Sequence, residues 1–116
     1  MEQLILRLGD NDILAITKTD TKVTFTGICS NTSVTNVIVF LDELPFIIGT
    51  LFGYVSQTHR DRETSCETYG KCHLTIEYDL ETFDDAPVYI ILSDMEENHF
   101  CKLTLEQTRA LLKFLL

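Results

Sequence analysis

The feature that most constrains this chain is a change in the spacing of its apolar residues, made twice in the same direction. Leu4, Leu6 and Leu8 alternate with Ile5 and Arg7, and Val23, Phe25, Gly27 and Cys29 alternate with Thr24, Thr26 and Ile28. This two-residue period belongs to strands with one buried face. Over 42–55 the spacing becomes that of a helix. The same switch recurs later, from alternation at Cys72, Leu74, Ile76 and Tyr78 to helical spacing over 104–116. A chain patterned this way predicts antiparallel sheet followed by helix, and then sheet followed by helix again.

The punctuation agrees. Gly9-Asp10-Asn11-Asp12 and Thr19-Asp20-Thr21 are turn clusters separating the strands 4–8, 13–18 and 23–29. After a further turn at 30–33, Val37-Ile38-Val39-Phe40 is apolar on both faces and is expected near a sheet centre. Asp42 is placed to cap the first helix, with Glu43 favourable in its first turn and Pro45 tolerated there. Phe46, Ile47, Ile48, Leu51, Phe52 and Val55 cover most of that helix, so it is expected to be buried on several sides. Gly49 and Gly53, four apart, would form a smooth strip for packing on the sheet or for a helix contact across a dimer. The polar stretch 56–71 reads as a long loop. Strands follow at 88–92 and 100–103, separated by a turn over 93–98. Thr104-x-x-Gln107 is a capping box, and Leu105, Leu111, Leu112 and Leu115 make the apolar stripe of the last helix.

The expected fold is therefore α+β, one or more antiparallel sheets with two helices in the order ββββα-βββα. Sliding the chain by 63 residues lays Glu43 on Glu106, Ile48 on Leu111, Leu51 on Phe114 and Phe52 on Leu115. A duplicated sheet-then-helix unit follows, with halves of about 1–55 and 72–116 joined by the loop 56–71. At 116 residues these form a single domain. In element order the unit resembles the repeat of PUR-domain and Whirly proteins. That resemblance implies a sheet face that binds single-stranded nucleic acid.

Charge points elsewhere. Eighteen acidic and nine basic side chains leave a formal net charge of −9. Such a chain repels the phosphate backbone and anionic membranes. The longest apolar segment, 44–55, is too short for a bilayer, which needs about 20 residues. The start of the chain lacks the basic and apolar regions of a signal peptide, so a cytoplasmic location is expected, and Asn31-Thr32-Ser33 is then a turn and no glycosylation site.

Motifs for chemistry are sparse. No glycine-rich phosphate loop, nucleophile elbow or His-Glu-x-x-His occurs. His59, His73 and His99 are expected in loops or on the polar face of a strand. Cys29, Cys72 and Cys101 fall in strand-like runs as small hydrophobes, whereas Cys66, Cys72, His73 and His59 could meet round a metal or Cys66 and Cys72 could pair. No zinc-finger spacing supports the metal, and a reducing compartment disfavours the disulfide. No enzyme activity, cofactor or metal is expected.

The pronounced feature is an acidic tract. Between Lys71 and Lys102 there is no lysine or arginine, yet Glu77, Asp79, Glu81, Asp84, Asp85, Asp94, Glu96 and Glu97 lie there. Asp79, Glu81, Asp84 and Asp85 lack the glycine and spacing of a calcium loop. Antiparallel strands place successive connections at opposite ends, which allows two acidic patches as well as one. These eight carboxylates are the expected docking face for a basic protein, in the manner of immunity proteins or phage inhibitors that neutralise a nucleic-acid enzyme. Two other readings stand beside it. In one, a nucleic-acid module uses Phe25, Phe40, Tyr78 and Tyr89 with Arg7, Lys18, Lys22, Arg60 and Arg62. In the other, a subunit or homodimer forms through the Gly49–Gly53 helix.

Overall fold

The alternation noted above becomes two antiparallel sheets, each closed off by a helix. The computed structural model describes residues 2–9, 11–29, 33–56, 63–67, 73–78, 87–93 and 98–116, with 33 and 63–67 described by backbone alone. The first sheet has the order β1 (Glu2–Leu8), β2 (Asp12–Lys18), β3 (Lys22–Cys29), β4 (Ser33–Phe40) and leads into α1 (Leu44–Ser56). The second has the order β5 (Glu63–Glu67), β6 (His73–Tyr78), β7 (Val88–Ser93), β8 (Asn98–Leu103) and leads into α2 (Leu105–Leu115). The fold is α+β, and each half is a four-stranded meander followed by a helix.

Register fixes which side chains face inward. Leu14 pairs with Gly27, Ile16 with Phe25 and Val23 with Val39, so these share the inner face of the first sheet, where all but Gly27 are fully buried apolar side chains. On the second sheet Leu74, Leu92 and His99 form one inner row, and Ile76, Ile90 and Cys101 the next. The two inner faces meet: β8 touches β1, β2 and β3 in turn, and β4 touches β7. A strand that meets three successive strands of the opposite sheet runs across them, so the sheets cross steeply. Where Gly27 faces the second sheet, a Cβ on it would sit 3.1 Å from the His99 ring and from Leu92 Cδ1. A side chain there would require the His99 ring and Leu92 to shift by a few tenths of an ångström.

The helices complete the same core. Leu44, Ile47, Leu51 and Tyr54 of α1 and Leu111, Leu112 and Leu115 of α2 join the buried cluster formed by both sheets. α1 packs on α2, β5 and β6, and the Tyr54 hydroxyl donates to the Ile76 carbonyl at 3.4 Å. α2 opens with the expected capping box: the Gln107 amide N–H donates to Thr104 Oγ1, and the Thr104 amide N–H to Gln107 Oε1, both at 3.0 Å. Gln107 Nε2 also donates to the Arg7 carbonyl at 2.8 Å, tying the start of α2 to β1. At its other end Lys18 Nζ donates to the Leu115 carbonyl at 3.3 Å, a cation where the helix dipole is negative.

Four details depart from the sequence reading. The stretch 56–71 contains a strand, β5, at the edge of the second sheet. An edge strand has one neighbour and gains its stability from backbone hydrogen bonds, so a polar sequence such as Glu-Thr-Ser-Cys-Glu suffices. β4 is an edge strand rather than a central one. Its Val37 and Val39 are buried, while Phe40 and Val34 are exposed. α1 begins at Leu44, and Asp42 lies in the hydrogen-bonded turn before it. Finally α1 is not buried all round: Gly53 is buried, but Gly49, Phe46 and Phe52 are exposed. A shift of 63 residues carries Phe40, the end of β4, onto Leu103, the end of β8, but Lys22, the start of β3, falls three residues short of Val88, the start of β7. Among the described residues no helix is long and apolar enough to cross a membrane.

Candidate functional site

Of the eight carboxylates singled out from the sequence, the described residues include Glu77. Asp79, Glu81, Asp84, Asp85, Asp94, Glu96 and Glu97 lie outside them, as do Cys72, His59, Arg60 and Arg62, while Cys66 is described by backbone alone. Glu77 is half-buried on the outer face of the second sheet. It pairs with Tyr89, which pairs with Lys102, so a carboxylate, a phenol ring and an ammonium group form one row. Lys102 Nζ sits 5.8 Å from the Tyr89 ring centroid, within reach of a cation–π attraction. The segment 79–86 leaves the sheet beyond Tyr78, which pairs with Val88, and 94–97 leaves it where Ser93 pairs with Asn98. These attachment points are at opposite ends of β7, roughly 17 Å apart at the rise of a strand.

A cleft of about 440 Å³ lies between the tip of the β1–β2 hairpin and the start of α2. Gly9, with φ of 62°, and Asn11, with φ of 68°, adopt the left-handed conformation that turns the hairpin. Arg7 and Lys102 line the cleft, Asp12 supplies a carboxylate, and Phe100 forms a wall that is 61% exposed. Two cations beside an exposed aromatic ring can accept an anionic group attached to a flat apolar one.

Reactive groups in the interior are quiet. Cys101 is a buried free thiol and Cys29 lies half-buried near it. Burial, together with the nearby Asp12 and Cys29, pushes the Cys101 thiol up to about 12, so it carries no thiolate at neutral pH and is not a nucleophile. His99 departs from the expectation of a solvated histidine: it is 8% exposed and packs against Gly27. The strand begins two residues earlier than its apolar run, at Asn98, and the period of two turns His99 inward with Cys101 and Leu103. Among the described residues no cluster of three or more His, Cys, Asp or Glu could hold a metal.

The described residues named for a nucleic-acid face do not all share one exposed surface. Phe25 is fully buried, and Tyr78 turns to the ring of Tyr54, 5.2 Å between centroids. Lys18 is engaged at the end of α2. Phe40 of that set is exposed, and further exposed aromatics lie on Phe46, Phe52 and Phe100. The absence of any charge between Leu44 and Ser56 was the sequence signal for the α1 pair, because a helix face meant for water carries charged residues. For Phe100 the signal was its place between His99 and Cys101 in an alternating run. No family model matches the chain, and no curated protein matches its sequence.

Proposed function

We propose that this chain is a non-enzymatic interaction protein that docks through the carboxylates of 77–97 onto a basic, nucleic-acid-handling protein and inhibits it. The observation that carries the reading is the charge tract: eight carboxylates, with no lysine or arginine from 72 to 101, in a chain of net charge −9. Spaced carboxylates imitate phosphates, and complementary charge chiefly speeds association. The chain passes into the two acidic segments at opposite ends of β7, at Tyr78–Val88 and at Ser93–Asn98. Binding is expected to weaken as salt rises, because the Debye length is about 8 Å at physiological ionic strength. The test is affinity capture of partners from the source cells with the unaltered chain, followed by association rates for Asp84→Lys/Asp85→Lys and for Asp94→Lys/Glu96→Lys. Each pair should slow association with a captured basic protein at least tenfold while leaving the melting temperature unchanged. Unchanged rates in both variants would refute the reading.

A second reading has one observation in its favour, the cleft with Arg7, Lys102 and the exposed Phe100. Its two cations suit a phosphate and its aromatic wall suits a base, the pairing that a single-stranded nucleic-acid module uses, with the Asp12 carboxylate acting against the phosphate. Fluorescence anisotropy of a labelled oligothymidylate, with Phe100→Ala and Arg7→Ala compared, separates the two. Saturable binding lost in both variants favours this reading over the first.

A further inference from the structure

We propose that the cleft between the β1–β2 hairpin and the start of α2 binds a free ribonucleoside monophosphate, with the phosphate held by Arg7 and Lys102 and the base laid on Phe100. These three side chains come from both sheets. Arg7 has the outward parity of β1, between the buried Leu6 and Leu8, and Phe100 and Lys102 have the outward parity of β8, to either side of the buried Cys101. β1 touches β8, so the two cations and the ring stand together where the sheets adjoin.

The walls are held from behind. Gln107 Nε2 donates to the Arg7 carbonyl at 2.8 Å, and the capping box with Thr104 fixes Gln107 in turn, so the backbone that carries Arg7 is tied to the first turn of α2. Beyond Arg7 the hairpin turns through Gly9 in its left-handed conformation. A site assembled on strands and a capped helix loses little freedom when a ligand enters it. Its volume of about 440 Å³ falls within the roughly 300–1,000 Å³ of small-molecule sites.

The lining selects the ligand. A guanidinium presents paired N–H donors that match phosphate oxygens, and an ammonium adds a second positive charge beside it. Phe100 is 61% exposed, and every base has a flat face that stacks on such a ring. Asp12 decides the orientation. It has the inward parity of Leu14 and Ile16 on β2, whereas both cations have the outward parity of their strands. A carboxylate repels phosphate and accepts hydrogen bonds from hydroxyls, so the phosphate stays with Arg7 and Lys102 while the ribose hydroxyls turn toward Asp12.

Charge favours one nucleotide over a strand. A polymer needs cations spaced along the track it follows. Among the described residues Arg7 and Lys102 are the cations that line the cleft, and Lys18 is engaged at the far end of α2. A net charge of −9 repels a polyanion more strongly than a single phosphate. The inference shares its cleft with the second reading above and parts from it on the length of the ligand.

Isothermal titration calorimetry of the full chain with adenosine monophosphate, adenosine and inorganic phosphate tests this. Adenosine monophosphate should bind saturably, and at least tenfold more tightly than adenosine or phosphate, because it alone engages both the cations and the ring. Phe100→Ala and Arg7→Ala should each weaken it at least tenfold. Both should leave the circular dichroism spectrum and the melting temperature unchanged, since the Phe100 ring is exposed and Gln107 is held by the Arg7 backbone. Oligoadenylate should bind no more tightly than the mononucleotide. A titration without saturable binding at millimolar adenosine monophosphate overturns the inference, as does binding that survives both substitutions or that phosphate alone matches. Affinity that climbs with strand length also overturns it, and leaves the single-stranded nucleic-acid reading standing. These outcomes are independent of the acidic segments, so the docking reading and this one can each fail alone.

Discussion

The two helices occupy equivalent places in their halves yet present opposite surfaces. α2 buries Thr108, Leu111, Leu112 and Leu115 and turns Glu106, Arg109 and Lys113 to solvent. α1 buries Leu44, Ile47, Leu51 and Tyr54 and turns Pro45, Phe46, Gly49 and Phe52 outward. Both inner faces close the same core, so folding alone explains the buried side of each. Folding does not explain the outer face of α1. A helix selected only to cover a core gains from charged residues on its far side, as α2 shows. The contrast shows that the shared core accounts for one face of each helix and leaves the outer face of α1 without such an account.

Removing 110–116 is the strongest way to break the comparison. The deletion takes away Leu111, Leu112 and Leu115, all buried, together with the carbonyl that Lys18 holds. Deleting a buried leucine side chain costs about 2–5 kcal/mol, and a domain of this size has only about 5–15 kcal/mol in total. The truncated chain is expected to be unfolded at room temperature by circular dichroism. A cooperative melt at the temperature of the full chain would show that α2 is an appendage.

Within α1, neighbouring residues should differ sharply. Leu51→Ala removes a fully buried side chain and should cost about 2–5 kcal/mol. Phe52→Ala, one position on, trims a side chain that is 59% exposed and should change the stability of the monomer by less than about 1 kcal/mol. Urea melts at a concentration where the chain is monomeric measure both. Equal losses would mean that the exposed stripe is part of the core, and the functional contrast between the helices would disappear.

Much of this was legible in the sequence because period carries burial. Leu14, Ile16, Val23, Phe25, Leu74, Ile76 and Ile90 fall on one parity of their strands, and all are buried. The capping box at Thr104 and Gln107 was equally plain, since it depends on two side chains at a fixed spacing. What escaped depends on neighbours that lie far off in the chain. β5 has no apolar alternation to announce it, because a strand at a sheet edge is held by its partner's backbone. The edge position of β4 and the open side of α1 could not be read from apolar content, which records what a residue prefers and not what stands beside it. His99 faces inward because β8 starts earlier than its apolar run, a boundary that sequence patterns locate poorly. The candidate site was legible as charge alone: the sequence shows the carboxylates of 77–97, while their grouping depends on which end of β7 each segment leaves.

The finest expected difference is a pair of alanine substitutions of opposite sign. In α2, Thr104→Ala removes the hydroxyl that accepts from the Gln107 amide, and losing such a cap costs about 1 kcal/mol. In α1, Gly49→Ala adds a methyl group that meets nothing within 4 Å, at a helical position where the backbone has no need of glycine. Alanine is favoured over glycine inside a helix by about 0.8–1.0 kcal/mol, through the lower entropy of the unfolded chain. The monomer should therefore gain up to about that amount and melt a few degrees higher, whereas Thr104→Ala should melt a few degrees lower. Calorimetry at low concentration reads the two shifts directly. If Gly49→Ala instead lowers the melting temperature, the glycine serves packing within the chain, and the outer face of α1 belongs to the fold as the inner one does.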